Sequence, residues 1–403
     1  MAEFFIGRQP ILDRDMQLYA YELLFRSGQQ GNQAGTPDDD FATSQVITTA
    51  FTDIGLDKLV RDKFAFVNVP YRFIVEPDLL PMDPDQVVLE LLESVQIDDA
   101  VVAGIETLHK RGFTIALDDF IYSRDYDRVL PYVDLIKIDI TQFPPEQWAT
   151  EVARARHYGC RVLAEKVETQ EEYARLRALK VDYYQGYFFA RPSVVAGQRI
   201  ASSKLSLLQL LAGINDPDIE LEELQRLISK DVGISVKSLN YVNSAASGLN
   251  RKVESIHEAI IYLGRNTIRS WVTLIIMASV DDKPDELMIM ALVRARFCEM
   301  LAARLGRERQ DRYFTVGLFS VLDSLLDAPL EEIIEPMSLP GSMQKALLRH
   351  EGEKGAMLRL AMDMEFGFAG DEDFAGVGTD ELADMHLEAL SWADDSFAGM
   401  AMH

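Results

Sequence analysis

Polar side chains recur at a regular spacing in the first half of this 403-residue sequence, each at or near the end of an apolar run. The separations are 28, 19, 28 and 20 residues along the series Glu90, Asp118, Lys137, Glu165 and Gln185. Each separation is about the length of one strand-plus-helix unit. When parallel strands close into a barrel, their carboxyl ends meet at one mouth, where barrel active sites lie. The spacing therefore predicts that these side chains converge.

Most of the converging side chains are acidic. Carboxylates that share a pocket raise one another's pKa and destabilise the fold unless something neutralises them. Oxygen donors suit Mg²⁺ or Mn²⁺, and two such cations can share a bridging carboxylate, activate a water and stabilise a phosphoryl transition state. The adjacent pair Asp118 and Asp119 fits this arrangement. The predicted metal ligands are Glu22, Asn68, Glu90, Asp118, Asp119 and Glu165.

Each of these residues also has a plainer interpretation when it is taken alone. An aspartate after a strand is most often the N-cap of the next helix, and a glutamate on a strand is usually solvated or hydrogen-bonded. Lys137 could be an ion-pair partner or, in a different class of enzyme, the Schiff-base lysine of an aldolase barrel. The surrounding carboxylates would keep that lysine protonated. The recurrence at successive strand ends favours a shared metal site.

The elements that would position this site alternate between strand and helix. Amphipathic helical stretches separate apolar strand-like runs, which lie at 64–69, 87–92, 113–117, 135–140, 161–167 and 182–189. Such alternation indicates βα units and a parallel sheet. The N-terminal FFIGRQPILDRDMQLYAYELLFR differs, because two strand-like runs flank a turn at Asp13–Asp15. This segment predicts a hairpin that opens the domain.

The second half of the chain has a different character. After Pro192 the strand signal stops, and segments such as SSKLSLLQLLAGI and ELMIMALVRARFCEMLAARLG have the apolar spacing of helices. The boundary is expected around residues 192–203, which contain Pro and Gly. The predicted fold class is therefore α/β followed by all-α, with domains at 1–197 and 198–403.

Charge and composition exclude several classes of function. The formal net charge of −25 disfavours binding to nucleic acid polymers and to anionic lipid. No apolar run approaches the ~20 residues that cross a bilayer, and the N-terminus lacks the pattern of a secretory signal. The only cysteines are Cys160 and Cys298, so a disulfide framework is not expected. A reducing cytoplasm is the expected location.

Residues from about 3 to 195 resemble the EAL domain, a family of cyclic di-GMP phosphodiesterases built on a modified βα barrel. Several family motifs occur in the family's order. They are YELLFR with Glu22 and Arg26, FVNVP with Asn68, LELLES with Glu90, DDF with Asp118 and Asp119, LIKID with Lys137, AEKVET with Glu165, and YYQGYFFARP with Gln185.

This resemblance implies a modified TIM-like (β/α) barrel that binds cyclic di-GMP and hydrolyses it to pGpG with two Mg²⁺ or Mn²⁺ ions. Lys137 would contact the attacking water or a phosphate, with Glu165 as general base. Arg26 would bind a phosphate or guanine of the ligand, and Gln185 would support the second metal. The first metal would be held by Glu22, Asn68, Glu90 and Asp118, and the second by Asp118, Asp119 and Glu165.

The sequence departs from the family pattern at three places. Leu23 replaces the Ala of the signature, Ile121–Ser123 replace the Gly-Thr-Gly of the DDFGTG loop, and Lys166 replaces a Gly. In the family this loop adjusts the metal site and couples it to dimerisation, and the loss of both glycines removes backbone freedom. The expectation is a site that binds ligand and hydrolyses it slowly. An inactive barrel that acts only as a scaffold is the alternative, and a homodimer is a further expectation.

The second half resembles the HDOD domain, a helical relative of the HD phosphohydrolases. The matching text runs from LISKDVGISVKSLNYVNSAASGLN to FTVGLFSVLDSLLDAPLEEIIE. No His-Asp pair, which an HD metal site requires, occurs in the sequence. We therefore predict a regulatory module that binds protein partners. An EAL domain followed by an HDOD domain resembles the YuxH-like family of bacterial signalling proteins.

Overall fold

The computed structural model of the chain forms two compact units. The first contains Met1–Phe188, Met364–Asp373 and Gly378–Ala383, and the second contains the remainder. The predicted boundary between residues 197 and 198 lies outside the described part of the chain. The residues that the structure describes are 4–27, 55–80, 82–190, 202–215, 219–229, 238, 242, 253, 255–278, 280, 283–337, 339–366 and 373–401.

The first unit is built on a closed barrel of eight strands, β1 to β8, in chain order. β1 pairs antiparallel with both β2 and β8, and all other neighbouring strands are parallel. One reversed strand thus distinguishes this barrel from an all-parallel one, and the predicted hairpin and modified (β/α) barrel are confirmed. The strands are β1 Phe4–Asp13, β2 Leu18–Ser27, β3 Phe64–Asn68, β4 Val87–Leu91, β5 Thr114–Leu117, β6 Leu135–Asp139, β7 Arg161–Glu165 and β8 Tyr183–Gln185.

The interior of the barrel is a packed apolar core. Side chains alternate between the two faces of a strand, so each strand sends some side chains inward at a common level. Burying this apolar layer stabilises the closed sheet that carries the polar residues farther along the strands. One such layer consists of Ile11, Ala20, Phe66, Val88, Ala116, Leu135 and Leu163.

The last strand is shorter than predicted. The run at 182–189 was predicted to be one strand, but β8 ends at Gln185 and a 3₁₀ helix follows at Tyr187–Ala190. Gly186 separates them with a φ of +139°, and a Cβ at this position would lie 2.1 Å from the Val167 carbonyl oxygen. The close approach of two backbones therefore ends the strand, and it requires glycine.

Helices connect the strands of the barrel. Asp98 caps the helix after β4, since its carboxylate accepts a hydrogen bond from the Val101 amide at 2.8 Å. Gly112 and Gly159, with φ of +94° and +83°, lie just beyond the helices Asp99–Lys110 and Trp148–His157, where glycine favours the end of a helix. The helices of this region are Leu56–Val60, Tyr71–Val75, Asp99–Lys110, Trp148–His157 and Gln170–Ala178.

The described residues after 201 are helical, as predicted. The helices Asp285–Arg304 and Gln310–Phe319 approach closely at Gly317, where a Cβ would lie 2.4 Å from the Ala295 amide nitrogen. The predicted helix at 235–245 lies almost wholly outside the described residues. The other helices are Ser202–Ile214, Leu221–Ser229, Ile256–Leu263, Arg265–Met277, Leu322–Leu326, Leu330–Ile334, Gly341–Arg349, Gly352–Met364 and Thr379–Ala401.

No helix in the described ranges combines the length and the apolar character needed to cross a membrane.

Candidate functional site

The strands bring the polar residues of the sequence series together at the mouth of the barrel. Glu22 lies on β2, Asn68 ends β3 beside Glu90 on β4, and Asp118 directly follows β5. Lys137 lies in the middle of β6. Glu165 and Gln185 are the last residues of β7 and β8.

Lys137 is the centre of this group. Its side chain is fully buried, and its Nζ lies 2.6 Å from Glu90 Oε1, 2.8 Å from Asp118 Oδ1 and 2.9 Å from Glu165 Oε1. Glu22 Oε2 is 3.4 Å away. We call Glu22, Glu90, Asp118, Lys137 and Glu165 the mouth cluster. It sets four carboxylates against one ammonium.

The charges of the mouth cluster do not balance. Burial alone would lower the pKa of Lys137, but the four carboxylates raise it well above its usual value. Burial and the Glu22 carboxylate raise the pKa of Glu90, and burial raises that of Glu165 to about 8 despite the attraction of Lys137. The ammonium is thus held protonated, which disfavours a Schiff-base role. One positive charge does not compensate four ionised acids, three of them buried, and the raised pKa values allow Glu90 and Glu165 to keep a proton when no other cation is bound.

The surrounding amides leave oxygen acceptors available. Gln185 Nε2 donates to Glu22 Oε2 at 2.6 Å and to Gln9 Oε1 at 2.9 Å. Within the described ranges, Asn68 Oδ1, Glu90 Oε2 and Gln185 Oε1 are buried without a hydrogen-bond partner. Sequence reasoning missed Gln9. Gln9 lies opposite Glu22 in the pairing of β1 with β2. Because the hairpin was predicted, this pairing could have identified Gln9 as a neighbour of the site.

Asp119 belongs to a second polar group beside the mouth cluster. Its Oδ1 accepts a hydrogen bond from Gln142 Nε2 at 3.2 Å, and Gln142 also donates to Asp139 Oδ2 at 3.3 Å. The buried Asp139 pairs with Lys166 Nζ at 2.6 Å. Burial and Asp118 raise the pKa of Asp119, whereas the Lys166 charge lowers it. Asp139 lies two residues after Lys137 on β6, so both side chains are on the same face of the strand. This spacing could have identified Asp139 as a site residue from the sequence.

Lys166 replaces a family glycine, and its backbone shows why glycine suits the position. Its φ is +55°, a left-handed conformation that side-chain-bearing residues seldom adopt. The ammonium of Lys166 nevertheless gains a partner in Asp139. The substitution therefore adds a positive charge next to the aspartates predicted to hold the second metal.

The DDFIYS loop is anchored by its own side chains. Phe120 is buried, whereas Ile121 is 57% exposed. The Tyr122 hydroxyl donates to Asp127 at 3.0 Å, and its ring stacks on Tyr158. These contacts hold the loop in place. The family has the smaller residues Gly-Thr-Gly at the same positions. Arg26 lies on β2, but its side chain is outside the described part of the structure.

The chemistry of the donors fits a hard divalent cation. All are carboxylate or amide oxygens, and the unpartnered Asn68 and Glu90 atoms are buried acceptors that a cation would satisfy. In the described ranges, however, no three acidic, histidine or cysteine side chains are arranged as ligands around a metal position. The Lys137 ammonium lies between four of the acids. A cation therefore fits this donor set if Lys137 moves aside.

This architecture is an α/β barrel with an acidic mouth, joined to a helical unit. The EAL domain model matches residues 77–192, and the HDOD domain model matches residues 201–327. The chain is 32% identical over 400 residues to the cyclic di-GMP phosphodiesterase CdgJ of Vibrio cholerae, with 97% of this chain and 92% of CdgJ covered. It is also 32% identical over 402 residues to YuxH of Bacillus subtilis, with 96% and 97% covered.

Among solved structures, BlrP1 of Klebsiella pneumoniae with calcium and cyclic di-GMP is 23% identical to this chain. The similarity covers 47% of this chain and 55% of that one, with a TM-score of 0.37. The full-length similarity to CdgJ and YuxH is what identifies the family. The chain belongs to the family of proteins that join an EAL domain to an HDOD domain.

Proposed function

We propose that this protein is a cyclic di-GMP signalling protein whose barrel binds the dinucleotide and slowly hydrolyses it to pGpG. The observation that carries the proposal is the mouth cluster, in which four carboxylates share one ammonium. The family supports the choice of ligand, since CdgJ is a cyclic di-GMP phosphodiesterase and this chain covers 92% of its length.

Divalent cations, Mg²⁺ or Mn²⁺, belong to this proposal. When bound, such ions polarise phosphoryl oxygens and lower the pKa of a coordinated water. Glu22, Asn68, Glu90 and Asp118 would hold the first ion, and Asp118, Asp119 and Glu165 the second. The unpartnered oxygens of Asn68 and Glu90 support the first set.

The protein's own residues would bind and orient the phosphodiester. Lys137, held protonated, would place its ammonium against a phosphate oxygen once the carboxylates bind other cations. Glu165 would accept a proton from the attacking water. Arg26 would bind a phosphate or guanine, and Gln185 would keep Glu22 oriented through the 2.6 Å hydrogen bond that it donates.

Two features support slow turnover. Tyr122 holds the loop in place through its contacts with Asp127 and Tyr158. The aspartates Asp118 and Asp119 therefore have less freedom to move than the equivalent pair beside the glycine-containing loop of the family. Lys166 places a positive charge near Asp119, and this charge opposes a second cation. A displacement of about 1 Å in a reacting group can reduce the rate ~100-fold.

We propose that the helical unit, residues 198–403, is a regulatory module for protein partners rather than a second enzyme. The sequence contains no His-Asp pair for an HD metal site. A homodimer is part of this proposal. A cytoplasmic location is also proposed, because Cys160 and Cys298 are both buried free thiols.

A direct assay tests the barrel proposal. The purified full chain is incubated with cyclic di-GMP and Mg²⁺ or Mn²⁺, products are separated by chromatography, and binding is measured in parallel by calorimetry. Slow formation of pGpG is the expected result. Binding without any product would support the alternative of a catalytically inactive barrel. The absence of both binding and turnover would refute the proposal.

A further inference from the structure

The helical unit contains a small cavity with an unusual lining. Its polar walls include three arginines, Arg269, Arg309 and Arg312, with Asn215 and Thr315, and Met343 contributes to the apolar wall. We call it the arginine cavity. The recess measures about 300 Å³, a volume that includes solvent at its open mouth.

Among the described residues, Asp311 contacts two of these arginines. Asp311 Oδ2 lies 3.0 Å from Arg269 Nη2, and its Oδ1 lies 3.4 Å from Arg309 Nε. Arg312 forms no ion pair or side-chain hydrogen bond with any described residue, although it lines the cavity. Arg265, one turn before Arg269, donates to the Ile219 carbonyl.

This excess of positive charge is partly desolvated. Arg269 is only 7% exposed. Burial lowers its pKa, the Asp311 carboxylate opposes this shift, and the charges of Arg265, Arg309 and Arg312 lower the pKa further. Like charges held together in a partly buried site favour binding of a counter-anion. The concentration of arginines is unexpected in a chain whose net charge is −25.

The backbone near the cavity also favours an anion. The ten-residue helix Gln310–Phe319 begins here, and Arg309 at its N-cap provides no side-chain hydrogen bond to the first turn. The partial positive charge of a helix N-terminus adds to that of the guanidinium groups. Arg312 and Thr315 lie in the first two turns of the same helix.

We propose that the arginine cavity binds a phosphoryl group, either as inorganic phosphate or as the phosphate of a nucleotide. Guanidinium groups match tetrahedral oxyanions through paired N–H donors, and three guanidinium groups that line one recess can surround a phosphoryl group. The recess is small and open to solvent at its mouth. A nucleotide would therefore extend outward through the mouth of the recess.

This proposal does not depend on the function of the barrel, and it can be tested on the full chain. Inorganic phosphate and GMP are each titrated at constant ionic strength in a buffer free of phosphate and sulfate, up to about 10 mM. Calorimetry and the melting temperature are the two measurements. A site with a millimolar Kd would be detected in this range.

Arg312→Gln is the main variant, because Arg312 has no partner among the described residues and its removal should not disturb packing. We expect phosphate binding to weaken by at least about tenfold, the loss typical of one charged hydrogen-bonding group. Arg349→Gln is the matched control, since Arg349 is an exposed arginine of the same unit with a distant acidic neighbour. It should bind phosphate like the wild type.

Asp311→Asn tests the same site in the opposite direction. It removes the carboxylate that competes for Arg269, so phosphate should bind more tightly and raise the melting temperature more than in the wild type.

GMP binding that is tighter than phosphate binding and is lost in Arg312→Gln would identify a nucleotide as the source of the group. Equal affinities would identify free phosphate. No response of the wild type, or equal losses in Arg312→Gln and Arg349→Gln, would overturn the proposal.

Discussion

Two ionic sites in this protein, one largely buried and one partly buried, have opposite composition. In the mouth cluster of the barrel, one ammonium lies within 3.4 Å of four carboxylates. In the arginine cavity of the helical unit, one carboxylate contacts two arginines, and a third arginine lines the same space. Among the residues that the structure describes, each site therefore holds more of one sign of charge than of the other.

The difference shows how an uncompensated charge can indicate a ligand. A buried charge without a partner costs stability, so a site that keeps such an excess needs an ion of the opposite sign or retained protons. The mouth cluster accordingly favours cations, and the arginine cavity favours anions. The overall charge of −25 would not distinguish the two.

The largest effect that we expect comes from removing the ammonium of the mouth cluster. Lys137→Met should lower the free energy of unfolding by about 3–5 kcal/mol without divalent ions, because it leaves four buried carboxylates without their partner. Mn²⁺ should then stabilise the variant more than the wild type, since it no longer competes with the lysine. Chemical denaturation with and without Mn²⁺ measures both quantities.

The control for this variant is Lys110→Met. Lys110 Nζ lies 2.6 Å from Glu106 Oε1, the same distance as the pair of Lys137 with Glu90, but the Lys110 side chain is 70% exposed. Its loss should leave the free energy of unfolding nearly unchanged. If both lysine variants lost similar stability, the contrast between buried and exposed pairs would be wrong.

The second effect concerns catalysis and metal binding together. Asp118→Asn removes the carboxylate assigned to both cations, so Mn²⁺ should no longer raise the melting temperature. Product formation should fall by about 100-fold or more, which corresponds to ~2.7 kcal/mol of transition-state stabilisation. Because the helical unit is proposed to lack phosphodiesterase activity, no second site should mask this loss. Persistent hydrolysis in this variant would point to a second catalytic site.

The mouth cluster and the arginine cavity also differ in how far the sequence predicts them. The barrel and the convergence of Glu90, Asp118 and Glu165 follow from a repeat of polar residues at strand ends, a local pattern with a fixed period. The central position of Lys137 does not follow, because it depends on how far a side chain reaches across the barrel. The sequence predicted a strand through Gly186 because a close backbone contact leaves no periodic signal.

The arginine cavity leaves no pattern in the sequence at all. Its lining joins Asn215, which directly follows one helix, with Arg269, Arg312 and Met343 on three others, and these residues share no spacing. Only the packing of those helices brings the side chains together. Composition even pointed away from such a site, since the chain as a whole is strongly acidic.

A smaller effect is expected from restoring the family loop at the barrel mouth. The triple change Ile121→Gly, Tyr122→Thr and Ser123→Gly removes the hydrogen bond to Asp127 and returns backbone freedom to the loop. Turnover should rise by about tenfold, with little change in affinity for cyclic di-GMP, because the loop affects positioning more than contact. Steady-state kinetics and calorimetry separate the two. Tyr122→Phe alone should give a smaller increase, and a change confined to affinity would contradict the positioning role.

The smallest effect concerns the two cysteines, one in each unit. Burial raises the pKa of Cys160, just before β7, to about 11 and that of Cys298, in the helix Asp285–Arg304, to about 12. Since the thiolate is the reactive form, both should label much more slowly at pH 8 than an exposed thiol does. Cys160, the less buried of the two, should react first. Mass spectrometry of peptides from the labelled native protein measures each rate.

Ligands should change these two rates separately, because labelling of a buried thiol reports local opening of its surroundings. Cys160 precedes the strand that ends at Glu165, so Mn²⁺ should slow its labelling and leave Cys298 unaffected. Phosphate should slow Cys298 alone, since its helix packs at Gly317 against the helix that carries Arg312. In denaturant both thiols should react at the same rate, which controls for reagent effects. If either ligand protected both cysteines equally, the mouth cluster and the arginine cavity could not be treated as independent sites.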